Sequence, residues 1–189
     1  MSTPWGEPAV IIVTGIQAAG KSTIGRLLAE RFDRGAFIEG DVLASMVVSG
    51  RSGMTPNPSD GAVAQLHLRY AQAAGLADSF HAVGFTAVWA DNIYGDDLVR
   101  QVERVRAQPL VVVVLAPSGE AVVRRELARG CDAYRDWRGD GTLESAVAEF
   151  QGYLAATPRV GLWLDTSCQS PAETVDSIIA RGWNEGRVR

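Results

Sequence analysis

Lysine is almost missing from this chain. Of eighteen basic residues one is a lysine, Lys21, and the rest are arginines. Without a second lysine there is no N-K-x-D motif, which excludes a guanine-specific GTPase. Histidine is nearly as scarce. His67 and His81 alone leave little material for imidazole catalysis. Cys131 and Cys168 show neither C-x-x-C spacing nor a histidine cluster, so a zinc site is not expected and both read as reduced, structural thiols. There is no long apolar run, basic leader or lipidation signal, and the expectation is a soluble, cytoplasmic protein with no membrane role. A net charge of −4 and a pI near 5.2 argue against broad binding of nucleic acid. No internal repeat or low-complexity segment interrupts the 189 residues, and residues 1–189 read as one α/β domain.

What is present centres on Gly15-Ile16-Gln17-Ala18-Ala19-Gly20-Lys21-Ser22, which fits the phosphate-binding pattern G-x-x-x-x-G-K-[ST] without a mismatch. Its context is that of a phosphate loop. The apolar, β-branched run Ala9 to Val13 precedes it as a buried parallel strand. Ile24, Leu27, Leu28 and Phe32 follow at helical spacing. Backbone N–H groups from Gly15 through Thr23 and the positive end of the helix dipole would converge there on a phosphate. In this pattern Lys21 reaches the β- and γ-phosphates and the Ser22 hydroxyl ligates Mg²⁺. A compact ammonium fits such a loop where a planar guanidinium does not, which explains the one lysine among so many arginines.

Taken in order, Met1 to Pro8 reads as a loose leader, and after the loop and first helix Ala36 to Glu39 forms a second strand. A helical stretch Val42 to Val48 follows, and Gly50 to Gly61 is a surface loop rich in turn residues and the candidate mobile segment. Val63, Leu66, Tyr70, Ala73 and Ala77 form one face of a long helix ending near Phe80. Gly84 to Ala90 is a third strand, Asp97 to Ala107 a helix, and Pro109 to Leu115 a central strand. A helix starts at about Gly119 and runs into the arginine-rich stretch from Arg124. Leu143 to Leu154 (helix), Val160 to Leu164 (strand) and Pro171 to Arg181 (helix) complete the chain. Strands alternating with helices give a parallel sheet covered on both faces, with ligands at the carboxyl ends of its strands.

That rule directs attention to the residues after each strand. The central strand offers no carboxylate, so the acidic group beside the phosphate loop falls to Asp91, in the Mg²⁺ shell or the acceptor site; an Asx turn opening the loop to Gly95 competes with this reading. Asp41 ends the second strand, where it would accept the proton of an incoming hydroxyl or cap the helix beginning at Val42, or both. Arg124, Arg125, Arg129, Arg135 and Arg138 lie close together. Positions 125 and 129 share a helix face, which makes Arg125 and Arg129 the candidates for clamping phosphate, against a solvated face paired with nearby acids. Arg69 and Tyr70 are further candidates for the acceptor side, though Tyr70 lies on the apolar stripe and reads as core; His67 reads as a satisfied helix residue, and Trp89 is left between pocket and core.

These pieces together resemble the P-loop small-molecule kinases, and within them the chloramphenicol phosphotransferase-like group. The resemblance rests on Ala18-Ala19-Gly20-Lys21-Ser22, Glu39-Gly40-Asp41, Asp91, the run Arg124 to Gly130 and Leu164-Asp165-Thr166-Ser167, and Gly40-Asp41 is also similar to the matching turn of gluconate kinases. It implies a P-loop NTPase three-layer fold with a five-stranded parallel sheet of order 2-3-1-4-5. It further implies an arginine-rich lid at about 124–141, an acceptor segment at about 42–80, and ATP with Mg²⁺ as cofactors. The activity implied is phosphorylation of a hydroxyl on a small molecule, with Asp41 as general base and Arg125 and Arg129 in the lid. A nucleoside or polynucleotide kinase and a non-transferring ATP-binding regulator are the alternatives, and a homo-oligomer is left open.

Overall fold

The computed structural model describes residues 4–130, 132–139 and 141–189. It begins with a fully buried strand β1 (Val10–Gly15), the phosphate loop, and α1 (Lys21–Ala29). Next come β2 (Gly35–Glu39), α2 (Gly40–Ser45), the long α3 (Asp60–Ala82), β3 (Thr86–Ala90) and α4 (Asp96–Arg104). β4 (Leu110–Leu115), α5 (Gly119–Arg129), the single turn α6 (Arg135–Arg138), α7 (Leu143–Ala155), β5 (Leu162–Leu164) and α8 (Pro171–Arg181) follow. The five strands form one parallel sheet in the order β2-β3-β1-β4-β5. β1 lies between β3 and β4, and all six residues of β1 and of β4 are buried, as continuous runs of Val, Ile and Leu require of strands covered on both faces.

Successive strand residues point to opposite faces, and β3 shows what covers each. Gly25 of α1 lies so close to Ala90 and Phe37 that a Cβ there would come within 3.2 and 2.6 Å of them. On the other face Trp89 is fully buried against Tyr70 of α3, ring centroids 6.2 Å apart. Trp89 is therefore core, and Tyr70 packs with it while its hydroxyl donates to the Asn92 carbonyl.

Several boundaries differ from those read in the sequence. α2 starts at Gly40 and ends at Ser45, so Val47 and Val48 are not helical. α4 stops at Arg104 because Val105 turns extended and Asp78 of α3 accepts the next two amides, from Arg106 at 3.0 Å and Ala107 at 2.9 Å. β3 begins only at Thr86, after Gly84 turns the chain at φ 83°, and β5 only at Leu162, after Gly161 turns it at φ 75°. The N-terminal segment is not loose from Trp5 onward. Trp5 packs on Phe32 and Trp183 and its indole N–H donates to Ile179 O at 3.0 Å. Trp183 sits in a π-helical turn, Gly182–Gly186, and the last residues then pair antiparallel with the start of β4, an extension the sequence pattern did not mark. Cys168 is exposed, so it is not a structural core thiol, and Cys131 lies outside the described residues.

Candidate active site

The phosphate loop occupies the carboxyl end of β1. Gly15 has φ 146°, and a Cβ there would stand 2.4 Å from Leu115 O of β4, so only glycine lets the chain leave the sheet at this point. Ala18 (φ 60°) and Gly20 (φ 102°) take left-handed conformations that curl the loop. Gly20 is the N-cap of α1 and no side chain caps the helix. The amides of its first turn, Lys21, Ser22 and Thr23, thus border an open cavity of about 450 Å³.

Side chains, three of them from outside the loop, hold its carbonyl oxygens. Tyr94 donates to Gly15 O (3.3 Å), Lys21 Nζ to Ile16 O (2.8 Å), Tyr134 to Gln17 O (2.8 Å) and Arg125 to Ala19 O (3.2 Å). Tyr94 and Tyr134 carried no signal in the sequence as loop partners. An aromatic residue inside the arginine-rich run was the one hint at Tyr134, which is fully buried. Enclosure in the loop pushes the Lys21 ammonium down to about 8, opposed by the carboxylates of Asp91 and Asp41.

Asp91 stands at the end of β3, beside the loop, and is 4 % exposed. Its Oδ1 accepts from Arg69 at 2.8 Å and from the Asn92 amide at 2.8 Å, while Oδ2 is buried with no partner. No Asx turn toward Gly95 forms, since the Ile93 amide donates to Thr14 Oγ1 instead, at 3.0 Å. Burial raises the Asp91 carboxyl to about 6, and Arg69 and the Asn92 amide partly offset it. Gly40 makes this placement possible, because a Cβ there would lie 2.1 Å from Asp91 Oδ2.

Asp41 is not the cap of its helix. α2 begins one residue before it, with Glu39 in the cap position and no side-chain cap, so Asp41 sits exposed in the first turn. It borders two cavities at once. One is the loop cavity just described; the other, of about 660 Å³, lies between α2, α3, α6 and α7. Gln17, Asn92 and Ala133 are the other residues common to both.

Of the five clustered arginines, two line the loop cavity. Arg125 is half-buried and its second hydrogen bond runs to Thr166 O at 2.5 Å. Arg129, one turn on, is exposed, with its nearest acid Glu126 at 4.0 Å. Arg124 faces away, into a groove between α5 and α7, and Arg135 and Arg138 pair with Asp132. Glu126 is buried and accepts the Ala133 amide at 2.5 Å, so it braces the turn after α5. His67 stands 3.6 Å from Asp97, which lines the second cavity.

The residues fit a divalent cation on the strength of Asp91. A buried carboxylate oxygen without a donor, on a group whose ionised form is penalised by burial, is a place where added positive charge is favourable, and Ser22 opens to the same cavity.

The sequence matches no protein-family model and no curated protein. The fold, however, recurs in solved structures. A gluconokinase from Sinorhizobium meliloti 1021 superposes with a TM-score of 0.65 at 21% identity over 92% of this chain and 90% of that one. A sugar kinase from Janibacter sp. HTCC2649 gives 0.63 at 18% over 92% and 93%. A shikimate kinase from Acinetobacter baumannii, solved with shikimate, gives 0.60 at 16% over 92% and 91%. At these identities the likeness establishes a shared fold, the five-stranded P-loop architecture.

Proposed function

We propose that the protein is an ATP- and Mg²⁺-dependent phosphotransferase that moves the γ-phosphate to a hydroxyl group of a small molecule. The observation that carries this reading is the position of Asp41, on the seam between the phosphate-loop cavity and a second, larger one. A protein that only bound nucleotide would need no second cavity with a carboxylate at its entrance. That fold neighbours are named as a gluconokinase, a sugar kinase and a shikimate kinase supports a small hydroxylated acceptor. The resemblance to chloramphenicol phosphotransferases widens the range of acceptors to hydroxylated antibiotics.

In this reading Gly15 to Thr23 hold the triphosphate through backbone amides, and Lys21 neutralises its terminal oxygens. Ser22 and Asp91 would hold Mg²⁺, which supplies charge neutralisation on the phosphates. The acceptor oxygen bonds to the γ-phosphorus as the bond from that phosphorus to the β–γ bridging oxygen breaks. ADP leaves with the electron pair, and the hydroxyl proton passes to Asp41 and on to solvent. Arg125 and Arg129 spread the charge of the transferring group.

The test is Asp41→Asn combined with an ATP-consumption screen over sugars, nucleosides and hydroxylated antibiotics. Loss of the base should lower turnover by roughly a hundred- to ten-thousand-fold. The ATP-induced rise in melting temperature should stay, because Asp41 is exposed and caps nothing. Wild-type turnover in the variant would pass the proton to Asp91. Acceptor-independent ATP hydrolysis alone would point to a regulator.

A further inference from the structure

An ion pair runs through the wall between the two cavities. Asp91 lines the phosphate-loop cavity, and Arg69, whose Nη2 stands 2.8 Å from Asp91 Oδ1, lines the second one. Both side chains are withdrawn from water, Asp91 at 2% exposure and Arg69 at 16%. The pair is incompletely satisfied: Arg69 Nε and Asp91 Oδ2 are buried and have no partner among the described residues.

Such a pair is a poor device for stability. Taking two charges out of water offsets most of their attraction, and an apolar pair of similar volume often serves a fold as well. The fold also has another fastening at this point. Tyr70, the next residue, donates to the Asn92 carbonyl and packs its ring on Trp89, so α3 is tied to the end of β3 without the guanidinium. What the guanidinium adds is orientation. Asp91 Oδ1 takes two donors, Arg69 and the Asn92 amide, each at 2.8 Å, which leaves Oδ2 as the oxygen open to a ligand. The Asn92 amide belongs to the adjacent residue, and alone it lets the carboxylate turn over and exchange its oxygens. Arg69 comes from another element and removes that freedom. It is itself placed beside the Tyr70 ring, with its Cζ 5.6 Å from the centroid.

We propose that Arg69 is a positioning residue for the metal site. It acts through Asp91, holding Oδ1 so that Oδ2 meets the cation that arrives with the nucleotide. Carboxylates that ligate metals are themselves hydrogen-bonded by outer partners of this kind. Two effects of opposite sign meet here, because a guanidinium beside a metal ligand also repels the cation. Orientation wins, since the triphosphate brings most of the charge that holds the metal, whereas no other described side chain bonds Asp91. Arg69 thus serves the nucleotide side although it lines the second cavity. This rests on the reading of Asp91 as a Mg²⁺ ligand.

The experiment needs no acceptor. Isothermal titration of the non-hydrolysable analogue AMP-PNP, with Mg²⁺ and again with EDTA, gives the factor by which the metal tightens binding. A general loss of affinity cancels in that ratio. Arg69→Met should lower the factor by roughly tenfold or more, the usual loss for an outer partner of a metal ligand. Asp91→Asn should lower it at least as far. The double variant should fall no further than Asp91→Asn, because Arg69 then has no ligand to position. Arg69→Lys keeps the charge and a donor and should lose less than Arg69→Met. If Arg69→Met does not fold, Arg69→Lys in the wild-type and Asp91→Asn backgrounds carries the same comparison. Losses that add in the double variant overturn the inference. So does an unchanged or larger factor in Arg69→Met, the result of repulsion alone. A factor lost in Asp91→Asn but kept in the Arg69 variants leaves Asp91 as the metal ligand while this inference falls. A factor near one in the wild type, or unaltered in Asp91→Asn, removes both.

Discussion

The two cavities that meet at Asp41 are made in different ways. The one over the phosphate loop is built from backbone at the end of a sheet. Its shape is fixed by contacts that leave no room, such as Gly15 against Leu115 O, and by side chains that pin its carbonyls from outside. The second cavity is built from side chains on α2, α3, α6 and α7, several of them half-exposed, and from the segment between α2 and α3. The first kind of site has one chemical solution and serves any phosphoryl transfer. The second changes with each residue that lines it, without disturbing the sheet.

The largest effect expected on the nucleotide side sharpens the contrast. Arg125→Ala and Arg129→Ala should each lower turnover by about 10²- to 10³-fold, the usual loss for one charge-stabilising donor. Only Arg125→Ala should also weaken ATP binding, because Arg125 braces Ala19 O and Thr166 O whereas Arg129 braces no part of the loop. Isothermal titration beside steady-state kinetics reads both. Equal losses of affinity in the two variants return Arg129 to a solvated role.

The pH dependence of the ligand-free protein probes the same cavity. Asp91 is raised from its ordinary 3.8 to about 6, chiefly by burial, so the fold holds its proton more tightly than the unfolded chain does. Its contribution to stability is complete below about pH 4 and lost as pH rises through about 6, a swing on the order of 3 kcal/mol. Melting curves in EDTA should show this decline in the wild type and not in Asp91→Asn. A parallel slope in the two proteins removes Asp91 from the account.

Lys21→Ala tests whether the cavities are separable. ATP with Mg²⁺ at about a hundred times its dissociation constant stabilises a folded protein by roughly 2.7 kcal/mol, and the variant should lose most of that. Binding of an acceptor identified by the ATP-consumption screen should survive, since Lys21 does not line the second cavity. Loss of both would mean that the acceptor cavity forms only around bound nucleotide.

This division also marks what the sequence made legible. A phosphate loop needs glycine where a Cβ meets a carbonyl and lysine where an ammonium must fit, so Gly15, Gly20 and Lys21 announce themselves by residue type and spacing. The strand order followed from the same resemblance. Asp41 and Asp91 stood out as candidates because strand ends are few, and the structure places both at the border of the loop cavity. Tyr94, Tyr134, Trp137 and Phe150 were not, because an aromatic that hydrogen-bonds a loop or walls a pocket has the same local pattern as one that fills a core. The cap reading of Asp41 failed on a boundary, with α2 starting two residues early so that Asp91 could approach Gly40. Trp5 and Trp183 find each other across nearly the whole chain, and no local period encodes that contact.

The smallest expected change in stability falls on the seam itself. In Gly40→Ala the added methyl would stand 2.1 Å from Asp91 Oδ2, and the carboxylate cannot turn aside freely while Arg69 and the Asn92 amide hold its other oxygen. Such overpacking costs about 1–3 kcal/mol. Gly40 opens α2 and has no positive φ, so alanine regains about 0.4–1 kcal/mol from the reduced freedom of the unfolded chain. The melting temperature should therefore fall by only a few degrees. Function should fall much further, because the displaced carboxylate is the one proposed to hold Mg²⁺ while Asp41 follows directly in the chain. The measurement is the ATP-induced melting shift with Mg²⁺ and with EDTA. In the wild type the two should differ, and in Gly40→Ala they should converge. A Mg²⁺-dependent shift of wild-type size in the variant would show that Asp91 does not hold the metal and that the two cavities do not share a wall at Gly40.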